Sequence, residues 1–108
     1  HVNDHVDAIH KIVESKYTSH SFNIGGMCEL SNIELINLIL SSFNKINGNT
    51  LKFDDATEFV GDRKGHDFRY SIDITKINEY LNWKPIIKIN KGIEETVIWY
   101  LENQKWWK

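Results

Sequence analysis

The sequence predicts an α/β fold, α+β-like in layout, in which about four helices pack on a few short strands. Three observations carry that expectation. Apolar residues recur at three- and four-residue steps in several stretches, and they alternate with polar residues in others. The composition is ordinary for a globular chain: 41% apolar, 26% charged, six Gly and one Pro, with no linker or repeat to divide the 108 residues. A single domain over residues 1–108 is therefore expected, large enough for one core.

Each element has its own signal. Val2, Val6, Ile9 and Val13 form the stripe of an amphipathic helix, with His5, His10 and Lys11 off it. Ser21-Phe22-Asn23-Ile24 alternates and stops at Gly25-Gly26, the pattern of a short strand ending in a tight turn. Ser31, with Glu34 three residues on, makes a capping box. The helix it opens carries Ile33, Leu35, Ile36, Leu38, Ile39, Leu40 and Phe43, dense enough to be buried on more than one side, and Asn47-Gly48-Asn49 marks its end. Leu51-Lys52-Phe53 has strand character, and Thr57 to Val60 carries an extended piece into the polar stretch Gly61 to Asp67. Alternation returns in Phe68-Arg69-Tyr70-Ser71-Ile72-Asp73. Asp73 or Thr75 caps a helix bearing Ile74, Ile77 and Leu81; Asn82 suits its left-handed C-terminal position and Pro85 prevents continuation. Asn90 is the expected cap of the last helix, striped by Ile93, Val97, Tyr100 and Leu101, and Trp106-Trp107 close the chain.

Charge and composition narrow the partners. A formal net charge of −2 gives no general field for nucleic acid or an anionic membrane, so neither partner is expected and any phosphate recognition must be local. No apolar run approaches the roughly 18 residues of a membrane span, and the polar groups in HVNDHVDAIH interrupt any signal-peptide pattern. Cys28 stands alone, without a partner for an internal disulfide, and a cytoplasmic setting is expected. The chain opens at His1, inside a helical pattern and not at Met, so a further segment upstream is expected.

The stretch Asp62 to Asp67 looks most like a site, because it gathers Arg63, Lys64 and His66 around Gly65 in a mildly acidic chain. Arg63 offers a planar fork of donors for phosphate oxygens, and Gly65 lets backbone N–H groups approach closely. A solvated charged loop is the plainer alternative. Asn32, beside the capping Ser31, sits where free N–H groups suit an anionic or polar ligand, or is ordinary first-turn chemistry. Gly25-Gly26 reads as a turn, since no G-x-G-x-x-G or G-x-x-x-x-G-K-[ST] occurs. His1 and His5 lack a Glu or Cys at a spacing that would complete a metal site. The aromatic end (Trp99, Tyr100, Trp106, Trp107) lacks the basic groove of a base-stacking platform and suits helix packing or contact with another domain. Nothing places a nucleophile beside a base, so hydrolase chemistry has no support.

Taken in order, these segments resemble the C-terminal part of dTDP-glucose 4,6-dehydratases, members of the extended short-chain dehydrogenase/reductase family. The likeness runs through Val2-Asn3-Asp4-His5, Phe22-Asn23-Ile24-Gly25-Gly26, Glu29, Asn32-Ile33-Glu34, Asp62-Arg63-Lys64-Gly65-His66-Asp67, Arg69-Tyr70, Ile72-Asp73, Leu81-Asn82-Trp83-Lys84-Pro85 and Trp99-Tyr100-Leu101. The family signature D-R-P-G-H-D-x-R-Y-x-I-D, followed by L-G-W-K-P, is the specific part. Lys64 replaces its proline and Asn82 its second glycine; neither change removes a ligand group.

The resemblance implies a small C-terminal substrate-binding domain of an extended short-chain dehydrogenase/reductase. In it, Asn32, Asp62, Arg63, Lys64, Gly65 and His66 bind the nucleotide-diphosphate part of dTDP-glucose, and none of its residues is catalytic, cofactor-binding or metal-binding. NAD, the Tyr-x-x-x-Lys pair and the acidic catalytic residues are implied to belong to an N-terminal Rossmann domain outside this chain. The whole enzyme would be a homodimeric, NAD-dependent lyase of deoxysugar biosynthesis that yields dTDP-4-keto-6-deoxyglucose, and this chain alone would be inactive. A UDP- or GDP-sugar dehydratase, a 4-epimerase of the same family, or a non-catalytic interaction module are the alternatives.

Overall fold

A computed structural model describes residues 1–108 and contains six helices and no strand: α1 (Val2–Glu14), α2 (Asn32–Asn47), α3 (Phe53–Ala56), α4 (Thr75–Leu81), α5 (Ile89–Glu102) and α6 (Gln104–Trp107). The expected α/β class is therefore corrected: this is a helical chain joined by extended connections. The alternation in the sequence is real, but it reports extended backbone, and a strand also needs a hydrogen-bonded neighbour. Phe22 and Ile24 both pack against the core, as residues two apart on an extended segment should. Gly25 lies so close to Ile72 that an added Cβ would meet the Ile72 Cβ at 2.9 Å. Even so, no backbone hydrogen bond joins the two extended stretches. Leu51 fails as a strand residue for a specific reason. Its N–H donates to the Asn44 side-chain oxygen at 3.0 Å and its C=O accepts from the Asn44 amide at 2.8 Å, so both groups a ladder would use are taken. Phe53 then begins the one-turn α3.

The chain divides into two compact units. The first comprises His1–Glu29 and Arg69–Ile89, hence α1 and α4. Its core is Ala8, Ile74, Ile77 and Trp83, with Ile12, Phe22, Ile24 and Leu81 packed around it. The N-cap of α4 is Ile74, with no side-chain cap, so neither Asp73 nor Thr75 takes the expected capping place; Asp73 stands one residue earlier, its carboxylate accepting from the Thr75 N–H at 2.8 Å and hydroxyl at 2.6 Å, and Asn82 ends the helix at φ 48°, ψ 42°. The α1 stripe faces out: Val2, Val6, Ile9 and Val13 are 45–76% exposed, while Asp4 and Ala8 are buried. The Asp4 carboxylate accepts from the N–H groups of Ile86 at 3.2 Å and Ile87 at 3.1 Å, which draws that face of the helix inward.

The second unit comprises Leu30–Phe68 and Asn90–Lys108. The Ser31–Glu34 capping box forms as the sequence predicts, and Gly48 ends α2 in the left-handed conformation. No residue of α2 is buried, so the density of its apolar residues overstates its burial. Helix α5 begins at Ile89, which puts Asn90 inside its first turn and not at the cap. A Lys45–Glu94 ion pair at 2.9 Å links α2 to α5, and Trp99 packs edge-on against Tyr100 and Trp106.

Candidate nucleotide-binding loop

Asn32 is the first residue of α2 and is exposed. The start of that helix already holds an anion. The Glu34 carboxylate accepts from the Ser31 N–H and hydroxyl, both at 2.7 Å, and these bonds, the backbone one foremost, hold the Glu34 carboxyl below the usual range. Asn32 adds an exposed side-chain amide beside that cap.

Arg63 to His66 form a turn closed by the His66 N–H donating to the Arg63 carbonyl at 3.3 Å. Gly65, the third residue, has φ 74°, where a type II turn demands a positive value. An i,i+4 contact of 2.5 Å between the His66 ring Nδ1 and the Asp62 carboxylate fixes the loop from the other side. That bond is the main reason the Asp62 carboxyl is held below its usual range. Asp62 is engaged by His66, while Arg63 and Lys64 beside it are both exposed. The result is a small cationic turn with a neutral amide, Asn32, on the same continuous segment Leu30–Phe68.

Position i+1 of a type II turn is where proline fits best, and Lys64 occupies it. Lys64→Pro is therefore expected to stabilise the chain by about 0.4–1 kcal/mol through the unfolded state, seen as a raised denaturant midpoint at unchanged slope. A lowered midpoint would show that Lys64 does not have the φ of that position.

The six expected residues do not line the hollow of about 870 Å³ that the first unit contains. That hollow lies between the Gly26–Glu29 and Tyr70–Thr75 stretches and is closed by Asn78, Glu79 and Lys84. At its rim is a cluster the sequence reading missed. The Arg69 guanidinium grips the Glu29 carboxylate with two nitrogens, at 2.8 and 2.6 Å, and the Ser71 hydroxyl donates to the same carboxylate at 2.7 Å. Arg69 is the first cause holding the Glu29 carboxyl low, and Glu29 in turn raises the Arg69 guanidinium. The period-two spacing of Arg69 and Ser71 puts both on one side of an extended segment, but nothing local points to Glu29.

A Tyr-x-x-x-Lys spacing does occur in this chain, at Tyr80 and Lys84, contrary to the expectation that the motif lies elsewhere. Helix α4 ends at Leu81 and Asn82 turns left-handed, so the two residues are not one turn apart on a helix face. Tyr80 packs edge-on against Tyr17 and Phe22, while Lys84 lines the hollow.

The family model described as GDP-mannose 4,6 dehydratase matches residues 1–96. The chain belongs to that family. Among curated relatives, a probable dTDP-glucose 4,6-dehydratase of Sinorhizobium fredii is 41% identical over 108 residues, covering 100% of this chain and 31% of the relative. A dTDP-glucose 4,6-dehydratase of Neisseria meningitidis is 35% identical, over 99% of this chain and 31% of its own length. The crystal structure of dTDP-glucose 4,6-dehydratase from Bacillus anthracis in complex with NAD superimposes with a TM-score of 0.82 at 36% identity, over 99% of this chain and 32% of that one. The resemblance read from the residues is thus shown, and the chain spans about a third of the length of the family members it matches. No helix is long and apolar enough to cross a membrane.

Proposed function

We propose that this chain is the part of a dTDP-glucose 4,6-dehydratase that holds the nucleotide-diphosphate end of dTDP-glucose. The observation that carries the reading is the Arg63–His66 turn. Gly65 shapes it, the Asp62–His66 contact braces it, and Arg63 and Lys64 are left to meet a diphosphate. Asn32 supplies a neutral donor and acceptor for the nucleoside or sugar hydroxyls. The reaction is oxidation at C4 of the glucose, loss of water across C5 and C6, and return of the hydride to C6, so the substrate must be held with C4 facing the nicotinamide. Positioning of that kind contributes several kcal/mol to lowering a barrier.

NAD and the catalytic groups are assigned to an N-terminal Rossmann domain of the full-length enzyme, a homodimer working in the cytoplasm. Two features support the assignment: the chain has no glycine-rich phosphate loop, and Tyr80 and Lys84 are split by the end of α4. The outward Val2, Val6, Ile9 and Val13 stripe of α1 is apolar surface of the kind a further domain covers. The chain alone is accordingly expected to bind weakly, at about millimolar, and to turn over no dTDP-glucose with added NAD.

NMR titration with dTDP tests the reading. Arg63, His66 and Asn32 should shift first, and Arg63→Ala should weaken binding by about tenfold or more, as expected for a lost charge-assisted contact. A response confined to other residues, or turnover by the chain with NAD, would refute it. Because the matching family model is described by GDP-mannose, a GDP titration serves as the competing arm, and tighter binding of GDP than of dTDP would move the assignment to a GDP-sugar.

A further inference from the structure

The stretch Asp62 to Asp67 carries two acids, Asp62 and Asp67, and two bases, Arg63 and Lys64. It is therefore formally neutral while the His66 ring is neutral, and becomes cationic when that ring takes a second proton. The ring meets the Asp62 carboxylate through Nδ1 at 2.5 Å, and no other charged side chain pairs with it. Its other nitrogen, Nε2, makes no hydrogen bond. His66 also closes the turn that Arg63 opens, its N–H donating to the Arg63 carbonyl at 3.3 Å with Gly65 at φ 74° between them. The Arg63 guanidinium and the His66 ring thus belong to one four-residue turn.

We propose that Asp62 is a positioning residue that fixes the tautomer of His66, so that Nε2 is a bare acceptor while the ring is neutral and becomes a donor to the diphosphate when it is protonated. The inference rests on the nucleotide-binding reading above. An ionised carboxylate only accepts, and the bond from His66 holds the Asp62 carboxyl below its usual range, so Asp62 is ionised wherever the ring is neutral. Their bond then requires the proton on Nδ1, which leaves Nε2 a lone pair. A lone pair and a phosphate oxygen are both acceptors and repel. A second proton has Nε2 as its one place to go, because Nδ1–H is already spent on Asp62. It turns the repelling atom into a charge-assisted donor and leaves the Asp62 contact intact. Diphosphate affinity should rise as pH falls through the range in which imidazoles take up a proton.

The test titrates the chain with dTDP-glucose by NMR at about pH 8 and about pH 5.5, on either side of that range. The sugar conjugate is used because a terminal phosphate, as in dTDP, itself takes up a proton near pH 6, at about its second ionisation. Affinity should be about five- to tenfold tighter at the lower pH. His66→Gln should bind alike at both, within about twofold, whatever the other histidines do. The imidazole nitrogen shifts of the free chain read the tautomer directly: at the higher pH, His66 should carry its proton on Nδ1, and Asp62→Ala should move it toward Nε2. A proton on Nε2 in the unaltered chain, an affinity indifferent to pH, or a pH dependence that survives in His66→Gln would each overturn the proposal while leaving the nucleotide reading standing. If the unaltered chain does not respond to dTDP-glucose at either pH, the nucleotide reading itself fails and the proposal falls with it.

Discussion

Trp83→Ala is expected to cost about 3–5 kcal/mol of stability. Trp83 is 2% exposed and, with Ile77, one of the two largest side chains fully enclosed by the chain. The first unit has only Ala8, Ile74 and Ile77 beside it as buried hydrophobic residues, so no second core can absorb the cavity. Its position is also fixed from the backbone: Asn82 turns the chain left-handed just before it, and the Asn78 side-chain amide donates to the Trp83 carbonyl at 3.2 Å. Against a total of about 5–15 kcal/mol for a typical domain, the loss would remove a large fraction of the folded margin. Denaturant unfolding followed by far-UV circular dichroism reads it directly. A loss below about 1 kcal/mol would mean that Trp83 is not the keystone of this core.

What the sequence makes legible is what neighbours in the chain decide. The Ser31–Glu34 box, the left-handed Asn82 and Gly48, and the glycine-centred turn at Gly65 are all set by residues within four positions of one another, and all are found. The strands fail because pairing is a long-range property. Phe22–Ile24 and Arg69–Ile72 are extended, yet the alternation that predicts extension says nothing about a hydrogen-bonded neighbour. The orientation of α1 is a long-range property too. Its stripe is unmistakable in sequence, but whether a stripe faces in or out depends on what the rest of the chain offers it. The candidate loop was legible through its glycine and its cations. The Glu29–Arg69 contact, 40 positions apart, was not.

The same long-range logic gives the other large effect. Asp4→Ala should destabilise the chain by about 2–5 kcal/mol, because it strips the only acceptors from two part-buried N–H groups, those of Ile86 and Ile87, each orphaned donor costing about 1–3 kcal/mol. Asp4→Asn should recover only part of this, since an amide offers one acceptor oxygen where the carboxylate offers two. Amide hydrogen exchange at Ile86 and Ile87 should accelerate in both variants, and more in the alanine one. The consequence reaches beyond stability. Asp4 is 6% exposed on a helix whose Val6 is 57% exposed, so the carboxylate bonds select which face of α1 turns inward. Without them, burying Val2, Val6 and Ile9 would compete with burying Ala8, and about 25 cal/mol per Å² of apolar surface would favour rolling the helix. The outward stripe proposed to meet the N-terminal domain is thus held in place by a buried acid. Exchange at Ile86 and Ile87 unchanged in Asp4→Ala would show that α1 is oriented by packing alone.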